Sequence, residues 1–369
     1  MRYMIRILSI LMVFFYFQLF PQQKAEAPPH QREPFYEVIG VPINQTQEQL
    51  REQLRRYIKW RAYPEGKEPI IVGVPQVRYI PTYIPLPFYQ PDSLSYIAYR
   101  NGDMTFFDPN CVCDDNVEVS RIKKQIALQR AGVEKLLIVR SALYHYYLEH
   151  KKLPETLEGL TGPYPSNYLS QNPFSQLVHS GTSLALENTG IIYQPERLRS
   201  EQVWKSMGEV LRIGGMAEPS IAIEPLEITV YESSFLMLVT SGPYPVRSYE
   251  VGLGAEQRTP TGVYSIKRKI NQPVSLSGVY GTRGLVLSIT DYAIHGTNMP
   301  SSIGRAVSKG CIRLHNNQVE ELFSMVSLGT KVTITNDAPS NYRQPNASPF
   351  YLKARKDEET PGIVYHWKH

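Results

Sequence analysis

Residues 295–314, which read HGTNMPSSIGRAVSKGCIRL, place a histidine and a cysteine in one glycine-containing loop. A thiol attacks a carbonyl carbon only as the thiolate, and a nearby imidazole that accepts the thiol proton is the usual way to form one near neutral pH. Gly310 directly precedes Cys311, so the loop can turn sharply there and bring its backbone close to a ligand. These residue types indicate a nucleophile, Cys311, and a base, His295, for acyl transfer.

Strand patterns flank this loop on both sides. Residues 285–289 and 331–335 are rich in β-branched and apolar side chains, and residues 226–231 alternate as a strand with one buried face does. Glycines and prolines interrupt the chain between residues 214 and 225, which predicts a domain boundary there. The sequence therefore predicts a mainly β catalytic domain over residues 226–335.

Two motifs in this region carry a family resemblance. The segments HGT at 295–297 and SKGCIRL at 308–314 resemble the motif of the L,D-transpeptidase (YkuD-type) catalytic domain. The segment TPTG at 259–262 resembles the T-P-x-G element that precedes the cysteine in that family. The resemblance covers residues 226–335 and implies an L,D-transpeptidase-like β-sandwich; it says nothing about the chain before residue 226.

The resemblance also implies roles for the motif residues. Cys311 would be the nucleophile, His295 the base that activates it and later protonates the leaving amine, and the carbonyl of Gly296 the group that orients the imidazole. A tetrahedral intermediate needs donors near its negative oxygen, and the N–H groups of Gly310 and Cys311 are the candidates.

Arg313, Thr297 and Ser308 are the predicted substrate-binding residues. Arg313 stands where family members carry Asn or Arg, and its guanidinium suits either a substrate carboxylate or a contact that orders the loop. Lys309 replaces a histidine that many family members carry. It can lower the thiol pKa electrostatically but cannot accept a proton as a neutral imidazole does. His315 is interpreted as an ordinary surface or loop-packing residue.

Two other interpretations of the cysteine are open to the sequence. Cys311 alone fits a buried structural thiol, because free cysteine is among the most buried residue types. A zinc site built from His295, Cys311 and His315 matches no common zinc spacing and lacks a fourth ligand. The surrounding motif favours the nucleophile, and thiolate, imidazole and backbone donors supply the chemistry, so no metal or organic cofactor is expected.

The start of the chain resembles an export signal. Two arginines precede an apolar run at residues 7–20. A helix of this length would span about 21 Å, short of a hydrocarbon core of about 30 Å. Ala25-Glu26-Ala27 offers a cleavage pattern, but Pro28 follows directly, so cleavage and retention as an N-terminal membrane anchor both stay open. Residues 1–27 predict an extracytoplasmic location in the cell envelope, secreted or membrane-anchored.

The charge of the chain fits that location. A formal net charge of +5 favours residence near anionic wall polymers, although salt screens most of the attraction. Basic residues do not cluster with aromatic ones in the pattern of a nucleic-acid interface, so nucleic acid is not expected as a partner.

Residues 28–220 predict a mixed α/β N-terminal domain of unknown role. Thr46 and Gln49 form a capping-box pattern that opens a polar helix to about residue 60. Apolar residues at three-to-four-residue spacing predict a long helix over 119–149. Its other face is predicted to be solvated and bears Arg121, Lys124, Arg130 and Lys135.

Two segments stay less determined. Cys111 and Cys113 are close enough in sequence that a disulfide between them would be strained, so a bridge, two free thiols and an intermolecular link all remain, with a local structural role favoured. Residues 336–369 are predicted to be a C-terminal extension or a loose tail, because prolines and turn formers follow the last strand pattern.

The resemblance implies a two-step reaction on peptidoglycan stem peptides, which serve as donor and acceptor. Cys311 would attack the carbonyl between a diamino acid and a terminal D-alanine, release D-alanine, and pass the acyl group to an amine of a neighbouring stem. An L,D-carboxypeptidase would use the same residues with water as acceptor. A non-catalytic wall-binding protein would keep the fold alone. The sequence does not set the oligomeric state.

Overall fold

The computed structural model describes residues 36–42, 46–61, 70–76, 78–79, 82–83, 96–100, 103–107, 117–175, 190–214, 223–339 and 349–369. The predicted export signal at residues 1–27 lies outside these ranges, as do Cys111 and Cys113. Of the helices within these ranges, none is both long and apolar enough to cross a membrane.

Among the described residues before residue 108, the structure has a four-stranded sheet and one helix. Their bounds, with two further short strands, are β1 (Tyr36–Pro42), α1 (Gln47–Arg61), β2 (Ile70–Gln76), β3 (Arg78–Tyr79), β4 (Thr82–Tyr83), β5 (Tyr96–Arg100) and β6 (Asp103–Phe107). The sheet has the order β1-β2-β5-β6, with β1 parallel to β2. Helix α1 begins at the predicted capping box, where the backbone N–H of Thr46 donates to Gln49 Oε1 at 2.9 Å. That residues 28–220 form a separate α/β domain stays a prediction.

The remaining elements surround the motif loop. They are α2 (Val117–His150), β7 (Ile191–Tyr193), α3 (Val203–Val210), β8 (Leu211–Ile213), β9 (Leu226–Tyr231), β10 (Leu236–Ser241), β11 (Tyr244–Glu250), β12 (Leu253–Gly254), β13 (Gly262–Asn271), β14 (Arg283–Leu287), β15 (Ala293–Gly296), β16 (Ala306–Ser308), β17 (Ile312–Leu314), α4 (Asn316–Met325) and β18 (Lys331–Thr335).

Eight of these strands form one sheet in the order β11-β10-β9-β18-β13-β14-β15-β17, which confirms the mainly β catalytic domain. The predicted sandwich takes the form of a continuous sheet whose two halves share the long strand β13. The first residues of β13 pair with β18 and the later ones with β14, and the register shifts between Ile266 and Arg268. A bulge of this kind bends a strand and increases its twist, so β13 can serve both halves.

Helix α2 differs from its sequence prediction. It forms over the predicted residues, but residues 136–143 are buried on all sides rather than along one stripe. The catalytic sheet covers one side, where Ser141 Oγ accepts the backbone N–H of Leu226 at 3.0 Å. On another side Arg140 donates to the carbonyl of Leu211 at 2.6 Å. Lys135, predicted on a solvated face, is half-buried. The hydrophobic core therefore runs from α2 into the catalytic sheet without a break.

Two buried basic side chains connect helix α2, the catalytic sheet and the segments packed on them. Arg247 of β11 lies between two carboxylates, 2.5 Å from Glu134 Oε1 on α2 and 2.6 Å from Glu321 Oε1 on α4. Lys269 of β13 is fully buried and donates to the carbonyls of Tyr168 at 2.9 Å and Val326 at 2.7 Å. Each cation spans segments that are far apart in sequence, so each acts as a cross-link of the fold.

Residues 349–369 pack on the catalytic sheet rather than forming a loose tail. Arg355 donates to the carbonyls of Gly162 at 2.7 Å and Ser170 at 3.0 Å. Further along, the backbone N–H of Tyr365 donates to the carbonyl of Val274 at 2.9 Å. The prolines behind the prediction of a loose tail, at positions 339, 345 and 349, lie before this packed segment or at its first residue. The extension is thus part of the folded surface around the motif loop.

Candidate active site

The motif residues meet on two adjacent parallel strands. His295 of β15 pairs with Arg313 of β17, and Cys311 directly precedes β17. Side chains two residues apart on a strand share a face, so Cys311 and Arg313 lie on one side together with Ala293 and His295. The backbone N–H of Ala293 donates to Cys311 Sγ at 3.4 Å. This register explains how residues separated in the loop come to one site.

The imidazole of His295 is held in one orientation. Its Nδ1 lies 2.5 Å from the carbonyl oxygen of Gly296, and a carbonyl only accepts, so Nδ1 carries the proton and Nε2 is the acceptor. Nε2 is buried without a hydrogen-bond partner among the described residues. Burial lowers the pKa of His295 to about 3, although the Gly296 carbonyl opposes this shift. The ring is therefore a neutral acceptor, as the predicted role of Gly296 requires.

The thiol of Cys311 is also buried, with 1% of the residue exposed. Burial raises its pKa to about 12, and the Ala293 N–H and the charge of Arg313 oppose the shift. Its Sγ lies 3.7 Å from the carbonyl oxygen of Asp291, which accepts the thiol proton. In this arrangement the thiol is protonated and its hydrogen bond goes to a backbone carbonyl.

Hydroxyl groups shape the loop that carries the cysteine. Ser308 Oγ donates to the carbonyl of Cys311 at 2.8 Å and accepts the N–H of Gly310 at 3.1 Å. Thr259, from the TPTG motif, donates through Oγ1 to the carbonyl of Gly310 at 3.0 Å and accepts the N–H of Gly254 at 2.8 Å. Gly310 has a φ of +143°, and a Cβ there would approach the ring of Tyr292 to 2.6 Å. Position 310 therefore requires glycine.

These contacts refine the predicted roles of the loop. The Gly310 N–H, predicted as an oxyanion donor, is directed to Ser308 Oγ. The Cys311 N–H donates to the carbonyl of Lys368 at 2.6 Å. Both hydrogen-bonding functions of the Ser308 hydroxyl are used within the loop, and that of Thr297 accepts the N–H of Met299 at 3.0 Å. Substrate contacts by Ser308 and Thr297 stay predictions.

Arg313 is the cation that acts on the site. It is buried, and its charge partly opposes the rise that burial causes in the pKa of the Cys311 thiol and adds to the fall that burial causes in the pKa of His295. Lys309, which the sequence suggested for that electrostatic role, is exposed. His315 is the N-cap residue of α4 and lies outside the β15–β17 register that brings His295 and Cys311 together. Among the described residues, no three His, Cys, Asp or Glu side chains group together as a metal site would need.

The sequence did not indicate the aromatic residues that enclose the site. The ring of Tyr280 lies edge-on to His295, with 5.0 Å between the ring centroids. The indole of Trp367 lies 4.5 Å from the Tyr280 ring and 6.1 Å from that of His295. Tyrosine makes up 25 of 369 residues, so an abundance of aromatic residues was visible in the sequence but not their position.

Comparisons with known proteins agree with the motifs. The sequence model of the YkuD family, which is described as "L,D-transpeptidase catalytic domain", matches residues 225–334. A putative L,D-transpeptidase, YkuD of Bacillus subtilis (strain 168), is 39% identical over 136 residues, which are 37% of this chain and 80% of that protein. YqjB of the same strain, another putative L,D-transpeptidase, is 38% identical over 104 residues, which are 24% of this chain and 59% of that protein.

Solved structures are similar at lower identity. An L,D-transpeptidase from Mycobacterium smegmatis shares 18% identity with a TM-score of 0.27, over 34% of this chain and 65% of that one. The chain thus spans just under two thirds of that structure.

Proposed function

The chain belongs to the YkuD family of L,D-transpeptidases, and on that premise we propose that it is an exported cysteine acyltransferase that cross-links peptidoglycan stem peptides. Cys311 is the proposed nucleophile and His295 the proposed base. The observation that carries the assignment is the hydrogen bond from His295 Nδ1 to the Gly296 carbonyl, which leaves Nε2 as a proton acceptor beside the strand that presents Cys311.

The proposed first step forms an acyl-enzyme. Cys311 Sγ turns from the Asp291 carbonyl toward His295 Nε2, gives up its proton and attacks the carbonyl carbon that joins the diamino acid to D-alanine. The Cys311 N–H donates to the negative oxygen of the tetrahedral intermediate. The C–N bond breaks, and His295 returns the proton to the leaving amine of D-alanine. The buried charge of Arg313 favours the thiolate through its attraction for Sγ.

The proposed second step transfers the acyl group. An amine of a neighbouring stem loses a proton to His295 and attacks the thioester carbon. The C–S bond breaks, and Cys311 Sγ leaves as a thiolate that takes the proton back from His295. A new amide then joins the two stems. If water takes the place of the amine, the same residues make an L,D-carboxypeptidase.

The site of action is proposed as the cell envelope, on the basis of the export-signal pattern at residues 1–27 and of the peptidoglycan substrate. Residues 28–220 are proposed as a preceding α/β domain and residues 226–335 as the catalytic domain. Helix α2 would then lie within the residue range of the N-terminal domain, although it packs against the catalytic domain.

Intact-protein mass spectrometry tests the proposal. The full chain is incubated with a carbapenem and separately with a disaccharide-tetrapeptide, with and without an acceptor amine. We expect an acyl adduct in wild type, no adduct in Cys311→Ala and slower adduct formation in His295→Ala. The control His315→Ala should form the adduct at the wild-type rate. D-Alanine release with a cross-linked product identifies the transpeptidase, and release without one the carboxypeptidase. A folded wild type without adduct or turnover would overturn the enzyme assignment in favour of a wall-binding protein.

A further inference from the structure

A peptide segment of the chain itself lies across the catalytic cysteine. The backbone N–H of Cys311 donates to the carbonyl of Lys368 at 2.6 Å, and the N–H of Lys368 donates to the carbonyl of Asp291 at 2.9 Å. Together these two bonds seat one residue in an extended-peptide arrangement, with its N–H and C=O both paired. The site thus already holds a peptide main chain.

The position of the Lys368 carbonyl has a chemical meaning. The N–H of a nucleophilic residue is a usual donor to the oxygen of the carbonyl under attack. In the loop, the Gly310 N–H is bonded to Ser308, so the Cys311 N–H is the loop amide that reaches toward a bound carbonyl. The Lys368 carbonyl occupies this donor. A substrate carbonyl needs the same N–H, so the two compete for one position.

The side chain of Lys368 matches the proposed donor residue. Its Nζ lies 4.8 Å from the centroid of the Tyr292 ring and 3.5 Å from the Tyr292 hydroxyl oxygen. A cation at this distance from an aromatic face is attracted by the ring quadrupole. The residue whose carbonyl is attacked in the proposed reaction is a diamino acid, and lysine is itself a diamino acid. Tyr292 is therefore placed to receive the amine of such a residue.

Neighbouring residues bind and make room for the segment at residues 365–369. The hydroxyl of Tyr280 donates to the carbonyls of Tyr365 at 3.3 Å and Trp367 at 3.1 Å. A Cβ at Gly284 would collide with the indole of Trp367, so the absence of a side chain there makes room for that ring. Trp367 is 5% exposed. Trp367 and Cys311 belong to one buried apolar cluster, and Cys311 is 1% exposed, so a bulky stem peptide cannot approach the thiol while the segment is in place.

We propose that residues 365–369 occupy the acyl-donor subsite, with Lys368 in the place of the donor's diamino acid. The subsite recognises a donor through the Cys311 N–H, the Asp291 carbonyl and the face of Tyr292. A peptide donor must displace the segment before its carbonyl can reach the Cys311 N–H. This inference rests on the proposed function, because it takes its donor from it.

The displacement is tested by the rate at which a small thiol reagent labels Cys311 in the full chain. Iodoacetamide labelling is read at Cys311 by peptide mass spectrometry, so that the other two cysteines do not interfere. Trp367→Ala removes the covering indole, and we expect it to increase the labelling rate at least about tenfold, since reactivity scales with the open fraction. Lys353→Glu, a charge change at an exposed position of the C-terminal extension outside residues 365–369, is the matched control and should leave the rate unchanged.

Lys368→Pro is the second variant. It removes the N–H that bonds to Asp291 but leaves the pocket of Trp367 intact, so it decides the question if Trp367→Ala does not fold. Circular dichroism establishes folding. Equal labelling rates in wild type and in the folded variants would overturn the proposed occupancy.

Donor selectivity tests the role of Tyr292. Acyl-enzyme formation is measured with a tetrapeptide whose side-chain amine is free and with the same peptide N-acetylated at that amine. Tyr292→Leu should reduce the preference for the free amine about tenfold through loss of the aromatic face, whereas Trp367→Ala should speed both donors equally. An unchanged preference in Tyr292→Leu would refute the subsite. If neither donor nor a carbapenem acylates wild type and Trp367→Ala, the proposed function itself fails, which separates the two failures.

Discussion

Lys269 allows a quantitative test of the fold, because its ammonium group is fully buried beneath the catalytic sheet. Burial lowers its pKa from 10.5 to about 7, although the carboxylate of Glu358 opposes the shift. The unfolded chain therefore binds more protons at this lysine than the folded chain does between these two pH values. Stability must rise with pH over that interval, as the ammonium loses its proton in the folded state.

The size of the rise follows from the two pKa values. Over the pH range in which the lysine is protonated in the unfolded chain but not in the folded chain, the free energy of unfolding rises by about 1.4 kcal/mol for each pH unit. From pH 7, where the folded group is half titrated, to pH 9.5 the integral is about 3 kcal/mol. Lys269→Met abolishes this contribution, whatever it does to the absolute stability by leaving the carbonyls of Tyr168 and Val326 without their donor.

The assay is urea unfolding of the full chain at pH 7 and pH 9.5. The change in unfolding free energy between the two pH values should be about 3 kcal/mol more positive in wild type than in Lys269→Met. Lys267→Met, at an exposed position of the same strand, is the matched control and should keep the wild-type dependence. Identical pH dependence in wild type and Lys269→Met would refute the assignment of a depressed lysine pKa.

Three further outcomes are expected. Thr259→Val should destabilise the chain by about 1 kcal/mol and slow the acylation of Cys311, because the Gly310 carbonyl loses its hydroxyl donor, and Thr259→Ser should restore both in unfolding and acylation assays. Arg247→Met should cost about 3–5 kcal/mol in urea unfolding, since two carboxylates lose their shared cation, whereas Lys331→Met at an exposed ion pair should cost under about 1 kcal/mol. Alkylation of Cys311 should accelerate with pH without a plateau up to pH 9, because its pKa is raised to about 12; a plateau near pH 7 would contradict this.

The sequence predicted the parts of the site that depend on local chain chemistry. The loop from His295 to Cys311 and the strands around it follow from residue types and their order. The carbonyl partner of the imidazole is what the family resemblance implies. The bond from His295 Nδ1 to Gly296 joins adjacent residues, so a motif can encode it. The two helices were also predicted, because capping and periodicity are local signals.

The parts that escaped prediction depend on contacts between distant segments. Helix α2 carries no single apolar stripe over residues 136–143, since the sheet covers one side and β8 another. The residues that meet at Lys269 lie about a hundred positions away on one side and more than fifty on the other, and no periodicity reports such a pairing. The same holds for Trp367, whose pocket depends on a missing side chain at Gly284.

Some residues of the recognised motifs have a proposed chemical role and others hold the loop in shape. A substitution in the motifs must therefore be interpreted according to which role the residue has. Cys311 and His295 are the proposed nucleophile and base, whereas the hydroxyl groups of Thr259 and Ser308 form hydrogen bonds with carbonyls and amides of the backbone. We expect loss of either hydroxyl to shift the Cys311 N–H and thiol together. Both hydroxyl groups bond to the backbone of Gly310, and Cys311 is the next residue. Loss of activity in such a variant therefore does not identify a substrate contact. Rescue of Thr259→Val by Thr259→Ser, with the stability restored in parallel, would assign this residue to loop geometry; a serine variant that recovers stability but not acylation would assign it a direct part in binding.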